Sequence, residues 1–226
     1  MKTKITAEAL SGIRAAIFDL DGTLFDSTRL WRDIDDIFLR KRGYEPTAEY
    51  YSAIAALGFR NTAHFTIDYY KLADTAEELM SEWSELALDA YAHDIKLLDG
   101  AKEYVAACSA RGIKIFAVTS LSRELAEPCL KNNGIFEFFD GLVTADETGF
   151  AKTDPRIYLR AAELAGVSPE DCVVFDDVPQ ALRAARSAGC VTVAVIGDGV
   201  HFNSDSDRKC ADMNVSGMFE APEIQA

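Results

Sequence analysis

Short apolar runs alternate with amphipathic stretches along most of this chain. Uninterrupted apolar runs bounded by turn residues are typical of buried strands. We predict such strands at 13–18, 113–118, 141–144, 172–175 and 191–196, with a late edge strand near 213–215. In the same part of the chain, helices are predicted at 100–111, 122–133, 154–165 and 179–188. Apolar strands that alternate with helices indicate an α/β fold, with a doubly wound parallel sheet covered on both faces.

A block without predicted strands follows the first strand. Leu30, Ile34 and Phe38 recur at helical spacing within 28–42, and further helices are predicted near 47–57, 62–71 and 75–92. The aromatic residues of this block are best explained as its own core. We therefore predict a core formed by 1–26 and 98–226, with an all-helical subdomain inserted at 27–97.

Three local features carry further expectations. Pro128 should kink or shorten the helix predicted at 122–133, because proline lacks a backbone N–H. Asp154 followed by Pro155 is a favourable helix start. The polar segment 205–207 is expected to form a solvated turn.

The first strand ends in two aspartates, Asp19 and Asp21, within the string D-L-D-G-T-L. At this i, i+2 spacing both carboxylates leave the same side of the strand end. Gly22 then permits a turn, and Thr23 adds a hydroxyl. Two ionised carboxylates ~4 Å apart repel by ~4 kcal/mol at an effective dielectric of ~20. A nearby cation or a retained proton must therefore reduce this repulsion. The simpler interpretation is that the Asp-Gly pair is only a turn, which is common after a strand.

Further polar residues follow the other predicted strands. Ligands of a doubly wound sheet bind beyond the carboxyl ends of its strands, so these residues should converge there. They are Thr119 after the second strand, Lys152 after the third, and Asp176 and Asp177 after the fourth. The simpler interpretations are a solvated surface lysine and an acidic helix cap.

The residue types indicate phosphoryl chemistry. Oxygen ligands without a His or Cys cluster suit a hard cation, Mg²⁺ before Zn²⁺. A carboxylate can attack phosphorus to give an acyl-phosphate, which divides one difficult displacement into two easier ones. A second carboxylate can protonate the leaving alkoxide and later activate water, typically worth ~10²–10⁴ in rate. A cation, a lysine and hydroxyl or amide donors stabilise the charge on the transferring group.

Together these residues resemble the four motifs of the haloacid dehalogenase-like hydrolases, a superfamily made up mostly of magnesium-dependent phosphatases. The resemblance implies that Asp19 is the nucleophile and Asp21 the acid/base, with the backbone carbonyl of Asp21 as a magnesium ligand. It places the phosphate-binding hydroxyl on Thr119, with Ser120 beside it as a substrate-binding residue, and the motif lysine on Lys152. The metal site is completed by an acidic pair, which falls on Asp176 and Asp177.

The insert at 27–97 is similar to the small helical cap of phosphoglycolate phosphatases and β-phosphoglucomutases. Arg60 lies where cap loops of related enzymes reach the substrate, and it could pair with an anionic substrate group, although a surface arginine is at least as good an explanation. Thr153 replaces the proline that usually follows the lysine in this branch, which should alter the loop but not the charge. His93 and His201 have no supporting neighbours in the sequence.

Alternative functions stay open at this point. A phosphosugar mutase could use the same scaffold, but the histidine that helps β-phosphoglucomutases to sense the sugar has no counterpart in 28–42. A phosphoaspartate signal receiver also gathers acids, a hydroxyl and a lysine at strand ends, but the insert and the second aspartate count against it. Dehalogenases of the superfamily lack an acid at the position of Asp21.

Composition limits the partners. The chain has 37 acidic and 23 basic residues, a net charge of −14, which disfavours nucleic acid and anionic membranes as partners. It also repels a phosphorylated metabolite at long range, so the phosphate site must be built locally. Five scattered cysteines and the lack of an apolar leader or span lead us to expect a cytoplasmic protein. The sequence does not distinguish a monomer from a homodimer.

Overall fold

The structure is a computed structural model that describes residues 10–27, 29–54, 59–197, 201–202 and 204–224. Its contacts divide the chain into two compact units, Met1–Ser27 with Ile95–Ala226, and Thr28–Asp94. The second unit starts one residue after the predicted start of the insert, and it ends three residues before the predicted end at 97.

A parallel sheet lies at the centre of the first unit. Its strands among the described residues are β1 Ala15–Phe18, β2 Lys114–Thr119, β3 Gly141–Thr144, β4 Cys172–Asp176, β5 Val191–Val195 and β6 Met213–Val215. They lie in the order β3-β2-β1-β4-β5-β6, and every neighbouring pair is parallel. This is the strand order of the Rossmann fold, in which the order reverses beside β1 and opens a crevice at the carboxyl ends of β1 and β4. The predicted α/β fold class is confirmed.

The helices, in chain order, are α1 Leu30–Lys41, α2 Ala48–Ile54, α3 Phe59–Tyr70, α4 Ala76–His93, α5 Ala101–Ala110, α6 Arg123–Asn132, α7 Ala145–Thr148, α8 Pro155–Ala165, α9 Pro179–Ser187 and α10 Asp205–Arg208. The predicted part of α2 at 55–57 lies outside the described residues, as does Gly58. Asp154 caps α8 as predicted, because its carboxylate accepts a hydrogen bond from Arg156 N at 2.9 Å. No helix in the described ranges has both the length and the apolar character that a membrane span requires.

Alternate residues of β1 pack on opposite faces of the sheet. Ala15 and Ile17 belong to a buried cluster that includes residues of α8 and α9. Phe18 stacks on Phe175 at a centroid distance of 5.0 Å, and Tyr104 of α5 meets its ring edge-on at 6.1 Å. Aromatic pairs of this kind contribute ~0.5–1.5 kcal/mol beyond the area that they bury. The strand that leads to Asp19 is therefore fixed from both sides.

The described helices of the second unit are α1 to α4. At the start of α4, Thr75 and Glu78 form a reciprocal capping box. Arg42 links two segments, since its guanidinium lies 2.5 Å from Asp74 and 2.8 Å from Glu82. An ion pair shared by two carboxylates at a partly buried position stabilises this unit more than an isolated surface pair does.

One carboxyl group is buried in the second unit. Asp35 of α1 is 7% exposed, and burial raises the pKa of its carboxyl group to about 7. The charge of Asp36 also raises this pKa, whereas a hydrogen bond from Tyr50 lowers it. Tyr50 is itself fully buried and packs against Tyr69 and Tyr70, as expected for an aromatic core of this unit.

Two local expectations need comment. α6 continues past Pro128 to Asn132, so the proline does not shorten the helix, and a kink at Pro128 stays a prediction. The cost of an interior proline is offset by the buried face of the helix, which includes Cys129 and Leu130. The segment 205–207, expected to be a turn, begins the short helix α10 because the Ser204 hydroxyl accepts a hydrogen bond from Asp207 N.

Candidate active site

The loop after β1 places Asp19 at the carboxyl edge of the sheet. Asp19 N donates to the carbonyl of Phe175 at 2.9 Å, so the pairing of β1 with β4 extends to this residue. The chain then turns sharply, because Leu24 N and Phe25 N both donate to the Leu20 carbonyl, at 2.9 and 2.8 Å. Asp19 therefore lies between a rigid strand and a hydrogen-bonded turn.

Gly22 is required in this turn for two reasons. Its φ of +79° lies in the left-handed region, which other residues adopt only at a cost. A Cβ at this position would also overlap Oδ2 of Asp177. The Asp177 carboxylate therefore packs directly against the backbone of Gly22, where a side chain would not fit.

Lys152 is a buried cation between two carboxylates. Its Nζ lies 2.5 Å from Asp19 Oδ1 and 2.8 Å from Asp176 Oδ2. Lys152 is 9% exposed, Asp19 4% and Asp176 1%. Burial lowers the pKa of Lys152, but the charges of Asp176 and Asp19 raise it further, so the net shift is upward and the side chain stays an ammonium.

Three carboxylates form an oxygen cluster beside Lys152. One oxygen from each of Asp19, Asp176 and Asp177 lies within 4.8 Å of the others. Burial raises the pKa of Asp176 to about 7 and that of Asp177 to about 8, and the charge of Asp19 adds to both shifts. With all three acids ionised, one ammonium leaves an excess of negative charge inside the protein, which is unfavourable without a further cation.

The cluster fits a hard divalent cation. Asp176 Oδ1 accepts a hydrogen bond from Val178 N at 2.8 Å, whereas Asp177 Oδ1 is buried without a hydrogen-bond partner among the described residues. A buried carboxylate oxygen that lacks a donor is suited to a metal ion. The cluster offers oxygen ligands only, the preference of Mg²⁺.

Asp21 lies apart from the cluster. The group of three cluster carboxylates does not include its side chain. Instead, the Ser27 hydroxyl donates to Asp21 Oδ1 at 2.6 Å. The Asp21 carboxylate thus has a different environment from that of Asp19, which lies against Lys152.

Thr119 and Ser120 follow the strand beside β1. Thr119 is buried at the end of β2, and its hydroxyl accepts a hydrogen bond from Leu121 N at 3.0 Å. Ser120 is exposed. Because β2 is parallel to β1, both residues lie at the same edge of the sheet as Asp19. Their phosphate-binding and substrate-binding roles stay predictions.

Arg60 belongs to the second unit. It is exposed at the start of α3, and its Nη1 lies 3.0 Å from Oε1 of Glu77 on α4. An exposed ion pair of this kind contributes little to stability. Substrate contact by Arg60 stays a prediction.

The Thr23 hydroxyl lies 3.4 Å from Asp19 Oδ2, beside the acids as expected. Sequence reasoning missed two other neighbours of the acids. The Ser27 hydroxyl donates to Asp21. His201 Nε2 lies 3.5 Å from Asp177 Oδ2. The signal for His201 was its position after β5, since every strand of a parallel sheet delivers residues to the same edge.

Tyr158 of α8 also approaches the site from within the core. It is fully buried, and its hydroxyl has no hydrogen-bond partner among the described residues. Burial raises its pKa, and the charge of Asp176 raises it further while Lys152 opposes the shift. The phenol therefore stays neutral beside the charged residues.

Comparison with known proteins identifies the family. The sequence profile of the haloacid dehalogenase-like hydrolases matches residues 13–189. The chain is 27% identical over 177 residues to the phosphorylated carbohydrates phosphatase of Thermotoga maritima, across 78% of this chain and 82% of that protein. It is 25% identical over 211 residues to hexitol phosphatase B of Escherichia coli, across 92% and 94% of the two chains.

A solved structure supports the same assignment at the level of the fold. CbbY from Rhodobacter sphaeroides in complex with phosphate matches with a TM-score of 0.74 and 23% identity, across 92% of this chain and 96% of that one. The resemblance inferred from the four motifs is confirmed, and the chain belongs to the haloacid dehalogenase-like hydrolase family.

Proposed function

We propose that this chain is a magnesium-dependent phosphatase that hydrolyses a small phosphorylated metabolite through an aspartyl-phosphate on Asp19. The observation that carries the proposal is the buried contact of Lys152 with Asp19 and Asp176, with Asp177 completing the acidic cluster. This arrangement costs folding free energy, since it leaves carboxylates uncompensated, so we attribute it to function rather than to stability.

In the first step a carboxylate oxygen of Asp19 attacks the phosphorus. A bond forms between that oxygen and phosphorus as the bond to the substrate oxygen breaks, and the leaving alkoxide takes a proton from Asp21. In the second step Asp21 removes a proton from water, whose oxygen attacks the phosphorus as the bond between phosphorus and the Asp19 oxygen breaks, which releases inorganic phosphate and restores the Asp19 carboxylate. The Ser27 hydroxyl orients the Asp21 carboxylate for both transfers.

Lys152 places positive charge where the phosphoryl group must lie, 2.5 Å from the attacking residue. Its burial strengthens this effect, because a charge in a water-poor site is weakly screened. Thr119 and Ser120 supply the donors that we expect at the phosphoryl oxygens. When bound, Mg²⁺ would neutralise charge on the same oxygens. Its ligands would be the carboxylates of Asp19, Asp176 and Asp177 and the backbone carbonyl of Asp21.

We also propose that the insert at 27–97 is a cap that selects the substrate, with Arg60 as a contact. The proposal rests on the resemblance of the insert to the small helical caps of this family. Arg60→Ala should raise KM for an anionic substrate and leave kcat within a few fold, and an unchanged KM across a panel of phosphorylated sugars would exclude this role.

The decisive experiment measures phosphate release from a panel of phosphorylated sugars and small phosphorylated acids. We expect turnover with Mg²⁺ and none after chelation with EDTA. Asp19→Asn should reduce kcat by at least ~10³-fold, because the nucleophile is lost while the side chain keeps its size. Asp205→Asn, an exposed aspartate of α10, is the matched control and should retain the parental rate.

Two results would overturn the proposal. Parental phosphate release by Asp19→Asn would exclude Asp19 as the nucleophile. Conversion of a sugar phosphate to its isomer without free phosphate would identify a phosphosugar mutase instead. Circular dichroism of each variant verifies that the fold is unchanged.

A further inference from the structure

The two oxygens of the Asp177 carboxylate have different surroundings. Oδ2 lies against the backbone of Gly22, where no side chain could be accommodated, and 3.5 Å from Nε2 of His201. Oδ1 is buried and has no hydrogen-bond partner in the described part of the chain. One oxygen therefore lies beside protein groups, whereas the other has no hydrogen-bond donor among the described residues.

His201 is the basic side chain within ion-pair distance of Asp177 among the described residues. Lys152, the other cation of the site, lies against Asp19 and Asp176 instead. Lys152 thus lies within ion-pair distance of two of the cluster carboxylates, and His201 lies within ion-pair distance of the third. A role for His201 at Asp177 is not duplicated by Lys152.

The position of His201 is fixed by its neighbour in the chain. Phe202 is buried in a cluster with Leu182 of α9, Ala194 of β5 and Cys210, which follows α10. The imidazole of His201 is itself 48% exposed. A side chain that is half exposed on an anchored backbone contributes little to the core, so its approach to a buried carboxylate needs another explanation.

We propose that His201 is a positioning residue for Asp177: its imidazole N–H holds Oδ2 so that Oδ1 stays directed to the bound cation. The inference rests on the proposed function, in which Asp177 is a metal ligand. Residues that orient metal ligands typically change metal affinity by ~10–100-fold when they are removed. The imidazole acts through the carboxylate and does not itself need to contact the metal or the substrate.

The test measures binding of Mn²⁺ to the full chain without substrate, by electron paramagnetic resonance of the free ion. His201→Ala should weaken Mn²⁺ binding by ~10–100-fold. His201→Gln keeps an N–H donor and should bind within a few fold of the parent. His93→Ala removes an exposed histidine of the second unit, paired with Asp89, and should change nothing. Thermal melting without metal should be the same for all of these variants and the parent.

A double mutant separates positioning from direct ligation. In an Asp177→Asn background, His201→Ala should produce no further loss of Mn²⁺ affinity, because the carboxylate on which the imidazole acts is gone. An equal loss in both backgrounds, or parental affinity in His201→Ala, would overturn the inference while leaving the proposed function intact. Parental affinity in Asp177→Asn would instead overturn the assignment of Asp177 as a ligand, and with it both proposals.

The activity assay gives a second readout. His201→Ala should raise the Mg²⁺ concentration needed for half-maximal turnover by the same factor as it weakens Mn²⁺ binding, and kcat at saturating Mg²⁺ should stay within a few fold of the parent. A fall in kcat that Mg²⁺ cannot restore would contradict a positioning role.

Discussion

Replacing Lys152 by methionine tests whether this lysine is the buried counterion of the acidic cluster. The ammonium lies 2.5 and 2.8 Å from its two carboxylates, and each pair attracts by roughly 6 kcal/mol at an effective dielectric of ~20. Desolvation offsets most of this attraction, and removing one partner of a buried pair typically costs ~3–5 kcal/mol. We therefore expect Lys152→Met to lower the free energy of unfolding by ~3–5 kcal/mol in EDTA at pH 8.

The matched control is Lys114→Met. Lys114 also forms a lysine–carboxylate pair, 2.6 Å from Asp140, but its side chain is exposed, so its removal should cost less than ~1 kcal/mol. Urea unfolding followed by circular dichroism reports on both units, because both contain helices. Trp31 and Trp83 both lie in the second unit, so their fluorescence serves as an internal reference that neither variant should change.

The charge state of the cluster provides a further check on Lys152→Met. Lowering the pH protonates Asp176 and Asp177, and adding Mg²⁺ supplies a cation, so both treatments should recover part of the lost stability. A destabilisation no larger than that of Lys114→Met, or one that neither treatment reduces, would refute the counterion argument.

Three further predictions follow from the geometry. Gly12→Ala, at φ +84° in open space, should lower stability by ~1–2 kcal/mol without affecting Mn²⁺ binding, whereas Gly22→Ala adds the overlap with Asp177 Oδ2 and should cost more stability and weaken Mn²⁺ binding. Tyr158→Phe removes a buried hydroxyl without a partner and should stabilise the protein in urea unfolding, whereas Tyr104→Phe loses a 2.7 Å hydrogen bond to a backbone carbonyl and should destabilise it by ~0.5–1.5 kcal/mol. Because burial raises the pKa of Asp35 to about 7, its contribution to the stability of the helical unit should be most favourable below about pH 4 and fall by roughly 4 kcal/mol as the pH rises through 7. Asp35→Asn should lack this part of the pH dependence, measured by tryptophan fluorescence, and a pH dependence identical to that of the parent would contradict the assignment.

The sheet was predictable because its strands are buried on both faces. β3 and β6 match their predicted ranges, and β1 is two residues shorter at its start. β4 is one residue longer than predicted, because it includes Asp176, an acid that no apolar pattern can assign to a strand. That residue belongs to the cluster. The pattern therefore missed a strand residue that is buried and carries a carboxyl group.

That charged residues from distant parts of the chain lie close together was also predictable. Parallel strands deliver their carboxyl ends to one edge, so Asp19, Lys152 and Asp176 could be placed together without a structure. The sequence does not specify which oxygen of each acid has a donor and which has none. Those details depend on approach distances of tenths of an ångström between segments that are far apart in the chain.

His201 shows where sequence reasoning ends and why. Its only sequence signal is its place after β5, which it shares with every residue of that loop. Its contact with Asp177 depends on the burial of Phe202, which anchors the backbone, and on Gly22, which leaves Oδ2 accessible from the other side. Each of these facts concerns packing between elements rather than spacing within one. A histidine that looks isolated in the sequence therefore lies beside a carboxylate from another segment, and the metal-binding cycle with Asp177 tests whether it positions that carboxylate.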